Sequence, residues 1–423
     1  MRLSPVPRPL VAAALLTAFL AISRIVGLPP ISDPTGTSLP PGVHLQIPAL
    51  YFVLGPLFTL WDGVSMLSMT RLKWLPAGLA ILYAGWRLAV LAWPRPGPVK
   101  PNYLREVLLA AGSVLAFTLF VVVGALWHRP MLALAGTGPD LMAVDFHSHT
   151  NASHDVTGTL MAGFDAEANR RWHARAGFDA VFITDHNTLA GFQAARKGPG
   201  ELRPYLCPGI EVSAYQAHIV LLGDTMEVDH ALYDRSLDGL LTLLNESRPR
   251  YGSLAIASIP EYERNHWANL ERFVEAGVAG FEVVNAAPRA NQISRTRRNF
   301  VMALAHTENR LILGVNDSHG WGATSMAWSL VNVPGWRNSA DPCALLLDRL
   351  RDGDYSTVHI LERPRVRRDS WWPGWLTPVG VVGETWRSMA WPLIASWLGW
   401  IWGAVLVLAW RAKTRTGPAP QLP

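Results

Sequence analysis

The sequence predicts an α/β barrel set between apolar, membrane-type helices, and three observations carry that reading. The chain of 423 residues is 50% hydrophobic but only 16% charged, against about 25% in an ordinary soluble domain, and its apolar residues gather at the two ends. Between roughly 139 and 364 the pattern changes to short apolar runs separated by helix-like stretches, which is how a helix-covered parallel sheet reads. Histidines and carboxylates stand at the ends of those runs, and the C-terminal strand ends of a closed barrel share one face.

The N-terminal region, 1–138, holds about four apolar segments near 10–28, 47–69, 75–93 and 107–127. The fourth is free of charge over about the 20 residues that cross a bilayer core. Asp62 interrupts the second and Arg87 the third, so bent, interfacial or packed placements stay open for both. The C-terminal region, 365–423, begins with Trp371, Trp372, Trp375 and Trp386 and continues into an apolar run near 388–410. Tryptophan favours the headgroup level, so the chain reads as an integral protein of the plasma (inner) membrane. Orientation stays open. Arg411–Arg415 and the 95–105 loop favour one side, whereas Arg71, Lys73, Arg129 and Arg387 favour the other.

In the central region, 139–364, strands are expected near 142–146, 180–184, 206–212, 218–222, 253–258, 280–285, 311–315 and 357–361. Helices are expected near 166–176, 232–244, 267–276 and 294–309. Seven or eight such units in about 220 residues fit a closed (β/α) barrel better than a doubly wound sheet. No Gly-rich phosphate loop follows the first strand. The net charge of +5 comes without a dense basic run interleaved with aromatics, so no nucleic-acid partner is expected. Cys207 and Cys343 lack motif spacing and read as two packed thiols.

The candidate site residues end the predicted strands. His147 and His149 follow the first, Asp185 and His186 the second, Glu211 lies in the third, and Asp317 and His319 follow a late one. In His147-x-His149 the two side chains share one strand face, roughly 7 Å apart at the backbone, and can converge on one ion. Asp317-x-His319 repeats the spacing. A lone His-x-His is more often packed or solvated than ligating, but four such strand ends converge here. Imidazole with carboxylate suits Zn, Mn or Fe, and paired ions activate water.

With those residues in place, the stretch 144–319 resembles the PHP (polymerase and histidinol phosphatase) superfamily. The resemblance implies a distorted (β/α)7 barrel, two or three divalent ions (Zn, Mn or Fe), and hydrolysis of phosphoesters or related bonds. It makes His147 and His149 the opening ligand pair, Glu211 a bridging carboxylate, Asp317 the late aspartate, and His319 a partner of His186 at a third ion. A further ligand is expected shortly after the opening pair, and His154 is favoured there over the adjacent Asp155. His218 matches the histidine that opens the fourth strand. One departure stands out: Ile259-Pro260 replaces the family's His-Pro pair, which removes a ligand from the second ion, and His266 is the one nearby histidine that could swing in.

The expected activity is a membrane-anchored phosphoesterase, with His319 or His218 protonating the leaving group. Arg289 could hold an anionic group on a small-molecule or lipid-associated phosphoester, and Trp321 could wall the pocket. Two other activities share the same ligands: hydrolysis of a carboxyl or carbamate ester or an amide, and a non-catalytic metal-binding sensor or scaffold. Transport is a weaker option, since the spans show no internal repeat. His173 is expected to be solvated, His230, His306 and His359 structural, and His44 and His128 to flank apolar segments.

Overall fold

The computed structural model describes residues 8–92, 102–196, 203–223, 228–233, 236–351 and 358–415. Two short strands, β1 (His44–Gln46) and β2 (Ala133–Ala135), pair as a separate antiparallel ribbon. The main sheet contains β3 (Leu141–Asp145), β4 (Ala180–Ile183), β5 (Tyr205–Ala214), β6 (Ala217–Leu222), β7 (Leu254–Ala257), β8 (Gly280–Asn285), β9 (Leu311–Val315), β10 (Ala327–Asn332) and β11 (Val358–Glu362). Their order is β11-β10-β3-β4-β5-β6-β7-β8-β9. All eight expected strands are present, although Thr357, the expected start of the last, lies outside the described residues. Strand β10 was not expected.

Apolar runs such as Ala180–Ile183 and Leu254–Ala257 are buried at every position. Strands covered on both faces read as continuous apolar runs instead of alternating ones. The helix Ala166–Ala176 starts where Asp165 accepts a hydrogen bond from Ala168 N–H, and it stops at Gly177, whose φ is +81°. Both are ordinary helix-ending devices. Any side chain at Gly177 would also meet the Leu134 carbonyl at 2.2 Å. The expected helix at 232–244 runs instead over Leu237–Tyr251, and that at 267–276 shortens to Leu270–Glu275 after a single 3₁₀ turn.

The sheet departs from an all-parallel (β/α) barrel in two places. Strand β6 runs antiparallel to both β5 and β7, and β10 runs antiparallel to β3 and β11. The β5–β6 turn is a two-residue hairpin through Tyr215 and Gln216, at φ +40° and +58°. Such turns need two left-handed residues and usually advertise themselves by Asn-Gly or Asp-Gly. Because β6 is reversed, its first residues lie at the same end as the C-terminal ends of its parallel neighbours.

The sheet nearly closes at that end. Ser318 bridges Ser148, His149 N–H donates to the Ser318 carbonyl at 3.0 Å, and Asp317 N–H donates to the His147 carbonyl at 2.9 Å. Deeper in, β10 packs against β9, where Ser329 Oγ bonds both N–H and C=O of Gly314. Cys207 and Cys343 are disulfide-bonded, joining β5 to the helix Pro342–Arg351. The expectation of two free thiols is corrected here. The 136-residue separation leaves no spacing signal by which sequence could pair them.

Among the described residues, two helices are long and apolar enough to cross a membrane, Tyr103–Leu126 and Trp391–Arg411. The first apolar segment forms the helix Arg8–Ile25 and the third the helix Met69–Ala92, while the second splits into Ala49–Val53 and Gly55–Ser65. Asp62 explains the split segment's packing. Its carboxylate is buried between Arg129 and Arg363, at 2.8 and 2.9 Å, and accepts the Tyr51 hydroxyl at 2.8 Å. This segment is thus fastened to the barrel and not a span of its own.

Candidate metal centre

The closure of the sheet places the predicted residues in one cluster at the barrel mouth. His147 and His149 extend β3, His186 follows β4, Glu211 lies in β5, His218 opens β6, and Asp317 and His319 follow β9. Asp317 adopts φ +48°, a left-handed conformation that non-glycine residues hold only when their surroundings enforce it. Its backbone is fixed by the His147 carbonyl, and its carboxylate turns back toward the histidine pair.

His147, His149 and Asp317 form one ligand group, with Glu211 against its two histidines. His147 Nε2 and His149 Nε2 are 3.0 Å apart. Glu211 Oε2 lies 3.1 and 3.3 Å from them, and Asp317 Oδ1 lies 3.5 and 3.1 Å from them. Three donor atoms 3.0–3.5 Å apart can all stand about 2 Å from one ion, the usual Zn–N and Zn–O distance. Asp317 Oδ1 is buried and makes no well-formed hydrogen bond. The donor set and its spacing therefore fit a divalent cation.

Two further groups adjoin the first. His186, Glu211 and His218 form one, with Glu211 Oε2 3.2 Å from His186 Nδ1 and Glu211 Oε1 3.1 Å from His218 Nδ1. His149, Asp155, His186 and His319 form the other, with Asp155 Oδ2 2.7 Å from His319 Nε2 and 3.2 Å from His186 Nε2. Glu211 thus sits between groups, as a bridging carboxylate should. A neutral imidazole has one lone pair to give, so His149 and His186 each serve one group at a time.

Charge in the cluster is balanced by ring protons. Burial alone would raise the Glu211 and Asp317 carboxyls, but the rings of His147, His218 and His186 around the first, and His147 and His319 around the second, hold both low. Burial would lower His218 and His319, yet Glu211 and Asp317 respectively carry them up to about 9. His147 is likewise raised against its burial by Asp317, Glu211 and Glu282. His149 goes the other way: burial and the neighbouring His319 push it down to about 4, so its ring is neutral near pH 7. Protons stand where a divalent ion would, and binding one releases them.

Three outcomes differ from expectation. His154 is exposed and outside the ligand groups, and Asp155 takes the place expected of it. The short helix His154–Thr157 turns Asp155 inward, and Ser153 Oγ holds its Oδ1 at 2.6 Å. His266 is buried but its Nε2 faces the Tyr215 carbonyl at 2.8 Å, so it does not complete the second group. His173 is buried, not solvated, and bonds Asp145 Oδ2 at 3.1 Å.

Sequence reasoning missed the supports behind the ligands. Glu282 Oε1 accepts from His147 Nδ1 at 2.6 Å, an arrangement that orients ligand histidines. Its other oxygen accepts from Ser258 Oγ, Asn285 Nδ2 and the backbone N–H of Ile259 at 3.0, 2.8 and 2.9 Å. Ile259 therefore contributes through its main chain. Glu261 also escaped notice. Its Oε2 stands 3.7 Å from His218 Nδ1, and burial raises its carboxyl to about 7 despite His218.

A cavity of about 610 Å³ opens over the cluster, and Asp155, His186, Glu211, His218, Asp317 and His319 form its polar floor, with Arg289 also on its wall. Arg289 makes no hydrogen bond or ion pair with the described residues. Trp321 packs edge-on against Phe164, with ring centroids 5.0 Å apart, and serves the fold there rather than the cavity.

No family model matches the chain, and no curated protein does. Three solved structures show limited likeness. A putative metal-dependent phosphoesterase from Bifidobacterium adolescentis is 16% identical at a TM-score of 0.33, over 42% of this chain and 88% of its own. PsfC from Pseudomonas syringae is 16% identical at 0.33, over 59% and 98%. An amidohydrolase from Chromobacterium violaceum, with sulfate and no metal bound, is 15% identical at 0.28, over 42% and 87%. Likeness at these TM-scores defines neither fold nor chemistry, which rest on the strands and side chains described above.

Proposed function

We propose that this chain is a membrane-anchored, metal-dependent hydrolase of the PHP type, acting on phosphoesters. The observation that carries the reading is the convergence of His147, His149 and Asp317 at 3.0–3.5 Å, with Glu211 3.1 and 3.3 Å from the two histidines and two adjoining ligand groups, on the floor of an open cavity. The helices Tyr103–Leu126 and Trp391–Arg411 supply the anchor in the plasma membrane.

Two or three divalent ions (Zn, Mn or Fe) would be held by His147, His149, Asp155, His186, Glu211, His218, Asp317 and His319, and such ions supply Lewis-acid activation of water and of a phosphoryl oxygen. The chain's own residues do the rest. Arg289 on the cavity wall pairs with a phosphoryl oxygen, which favours a phosphoester over a neutral carboxyl or carbamate ester. His218 and His319, 31% and 33% exposed, deliver a proton to the departing oxygen where the ring is not engaged as a ligand. Glu211 and Asp317 orient the groups between them.

The full-length protein in detergent, loaded with Mn or Zn, is expected to hydrolyse nitrophenyl phosphate or bis-nitrophenyl phosphate and to lose that activity on chelation. Turnover of nitrophenyl acetate alone would move the reading to carboxyl esters. Bound metal with no turnover on either panel would leave a metal-binding scaffold.

A further inference from the structure

The cavity above the metal centre has two unlike walls. One is the polar floor of ligand residues. The other is built by the apolar helices, with Trp61, Leu67, Leu72, Val121 and Ala125 facing the same space. Val121 and Ala125 belong to the helix Tyr103–Leu126, which exposes Val114, Leu115 and Leu119 at 67%, 60% and 52% along its length. The contact is direct. A Cβ on Gly322, three residues after His319, would lie 2.9 Å from Ala125 Cα, so the loop carrying His319 rests on the last turn of that helix. The loop after β8, which carries Arg289, is tied to the helices as well. Met69 N–H donates to the Pro288 carbonyl at 2.6 Å, and Asn291 Nδ2 to the Met66 carbonyl at 2.6 Å.

We infer that the substrate is a phosphoester attached to a long hydrocarbon chain, drawn sideways from the bilayer into the cavity. This rests on the phosphoesterase reading and narrows it. A cavity of about 610 Å³ is within the ordinary range for one ligand-sized group. It takes a phosphorylated headgroup and the first methylenes, while the rest of the chain stays along the exposed face of Tyr103–Leu126. A wholly water-soluble phosphoester would leave the apolar wall wet and gain nothing from it. In the reaction a water oxygen bonds phosphorus, the P–O bond to the alcohol breaks, and the water's proton ends on the alcohol oxygen.

The test compares the Mn-loaded full-length protein on phosphatidylcholine vesicles carrying phosphatidate, phosphatidylglycerol or farnesyl phosphate with the same headgroups on butyryl or shorter chains. The lipid arms separate glycerolipid monoesters, glycerolipid diesters and prenyl phosphates. At least one long-chain form is expected to exceed its short-chain analogue by 100-fold or more in kcat/KM. Val121→Glu and, on a second helix, Leu72→Gln should each lower the ratio of long-chain to short-chain turnover at least tenfold, with metal content retained as the check on folding. Equal turnover of both chain lengths overturns this inference and leaves the phosphoesterase reading standing. No turnover of any phosphoester, nitrophenyl phosphate included, overturns the underlying reading instead.

A different observation carries a second inference. We propose that the barrel lies on the oxidising side of the membrane. The Cys207–Cys343 bond is of a kind that persists in oxidising compartments. Two of the cations that left orientation open are now accounted for. Arg129 and Arg71 are buried, on Asp62 and on the carbonyls of Arg367 and Ser370, and so are not juxtamembrane charges. Arg105 and Arg411 lie at the helix ends remote from the barrel, where a cytoplasmic excess of cations is the rule. Maleimide labelling in intact cells, with and without reductant, tests this. Labelling of Cys207 and Cys343 by an impermeant reagent only after reduction is expected, and thiols free in cells overturn it.

Discussion

Two regions of this molecule bury charge, and they do so by opposite means. At the seam between helices and barrel each carboxylate meets guanidinium groups: Asp62 lies between Arg129 and Arg363, and Glu362 between Arg298 and Arg365 at 2.8 and 2.7 Å. These groups stay charged and paired, since arginine cannot give up its proton. At the barrel mouth the carboxylates of Glu211, Asp317 and Asp155 have histidines as their charged partners, whose nitrogens are lone-pair donors once deprotonated. The seam is built to stay as it is, whereas the mouth is built to exchange protons for metal.

The largest effect that would break this contrast is at the mouth. His147→Ala or Glu211→Gln should remove bound metal together with activity. Loss of several kcal/mol of transition-state stabilisation is on the order of 10³-fold in rate, and metal analysis with nitrophenyl phosphate turnover would read both. Wild-type metal content in either variant would place the centre elsewhere. At the seam, Asp62→Ala should leave two buried guanidinium groups uncompensated. That costs about 3–5 kcal/mol of stability, seen as a lowered Tm, while metal content per folded chain stays at the wild-type value.

Acid separates the regions again. Burial would raise the Glu362 carboxyl, but Arg365 and Arg298 bring it down to about 2. Its folded value lies below its unfolded one, so its contribution is full above roughly pH 4.5 and fades as pH falls toward 2. That is a loss of about 3 kcal/mol, to be read from denaturation midpoints across the window. Glu362→Gln should flatten that part of the profile.

The difference between the regions also explains what sequence could reveal. The strands were legible because Ala180–Ile183 and its kin are short, wholly apolar and bounded by polar residues. The ligands were legible because strand ends fix where His and Asp must point. The hairpin at Tyr215–Gln216 was not, since neither residue type signals a left-handed turn. Strand β10 was hidden as well, its Ala327–Asn332 stretch following β9 without a helix between. Asp155 over His154 was undecidable from spacing, because a single short helical turn decides which of two neighbours faces inward. The Cys207–Cys343 bond and the Asp62–Arg129, Asp62–Arg363 and Glu362–Arg298 pairs at the seam join residues far apart in the chain, and no local pattern carries such pairings.

Glu282 gives the finest test of the contrast, because it belongs to both modes of burying charge. It is a buried carboxylate with three neutral donors on one oxygen, like a seam residue satisfied by fixed partners. Its other oxygen holds His147 Nδ1–H and so keeps His147 Nε2 turned toward His149 and Glu211, where it would serve a bound ion. Burial raises its carboxyl even with His147 beside it, a cost that the hydrogen bond to a ligand histidine offsets. Glu282→Gln keeps the shape and a single acceptor but removes the charge. Metal affinity should then fall by roughly 10–100-fold, measured by competition with a chelator, while Tm of the metal-free protein changes little. A large drop in metal-free Tm with unaltered affinity would assign Glu282 to the seam type instead, as a residue that holds β7 and β8 together and leaves the centre untouched.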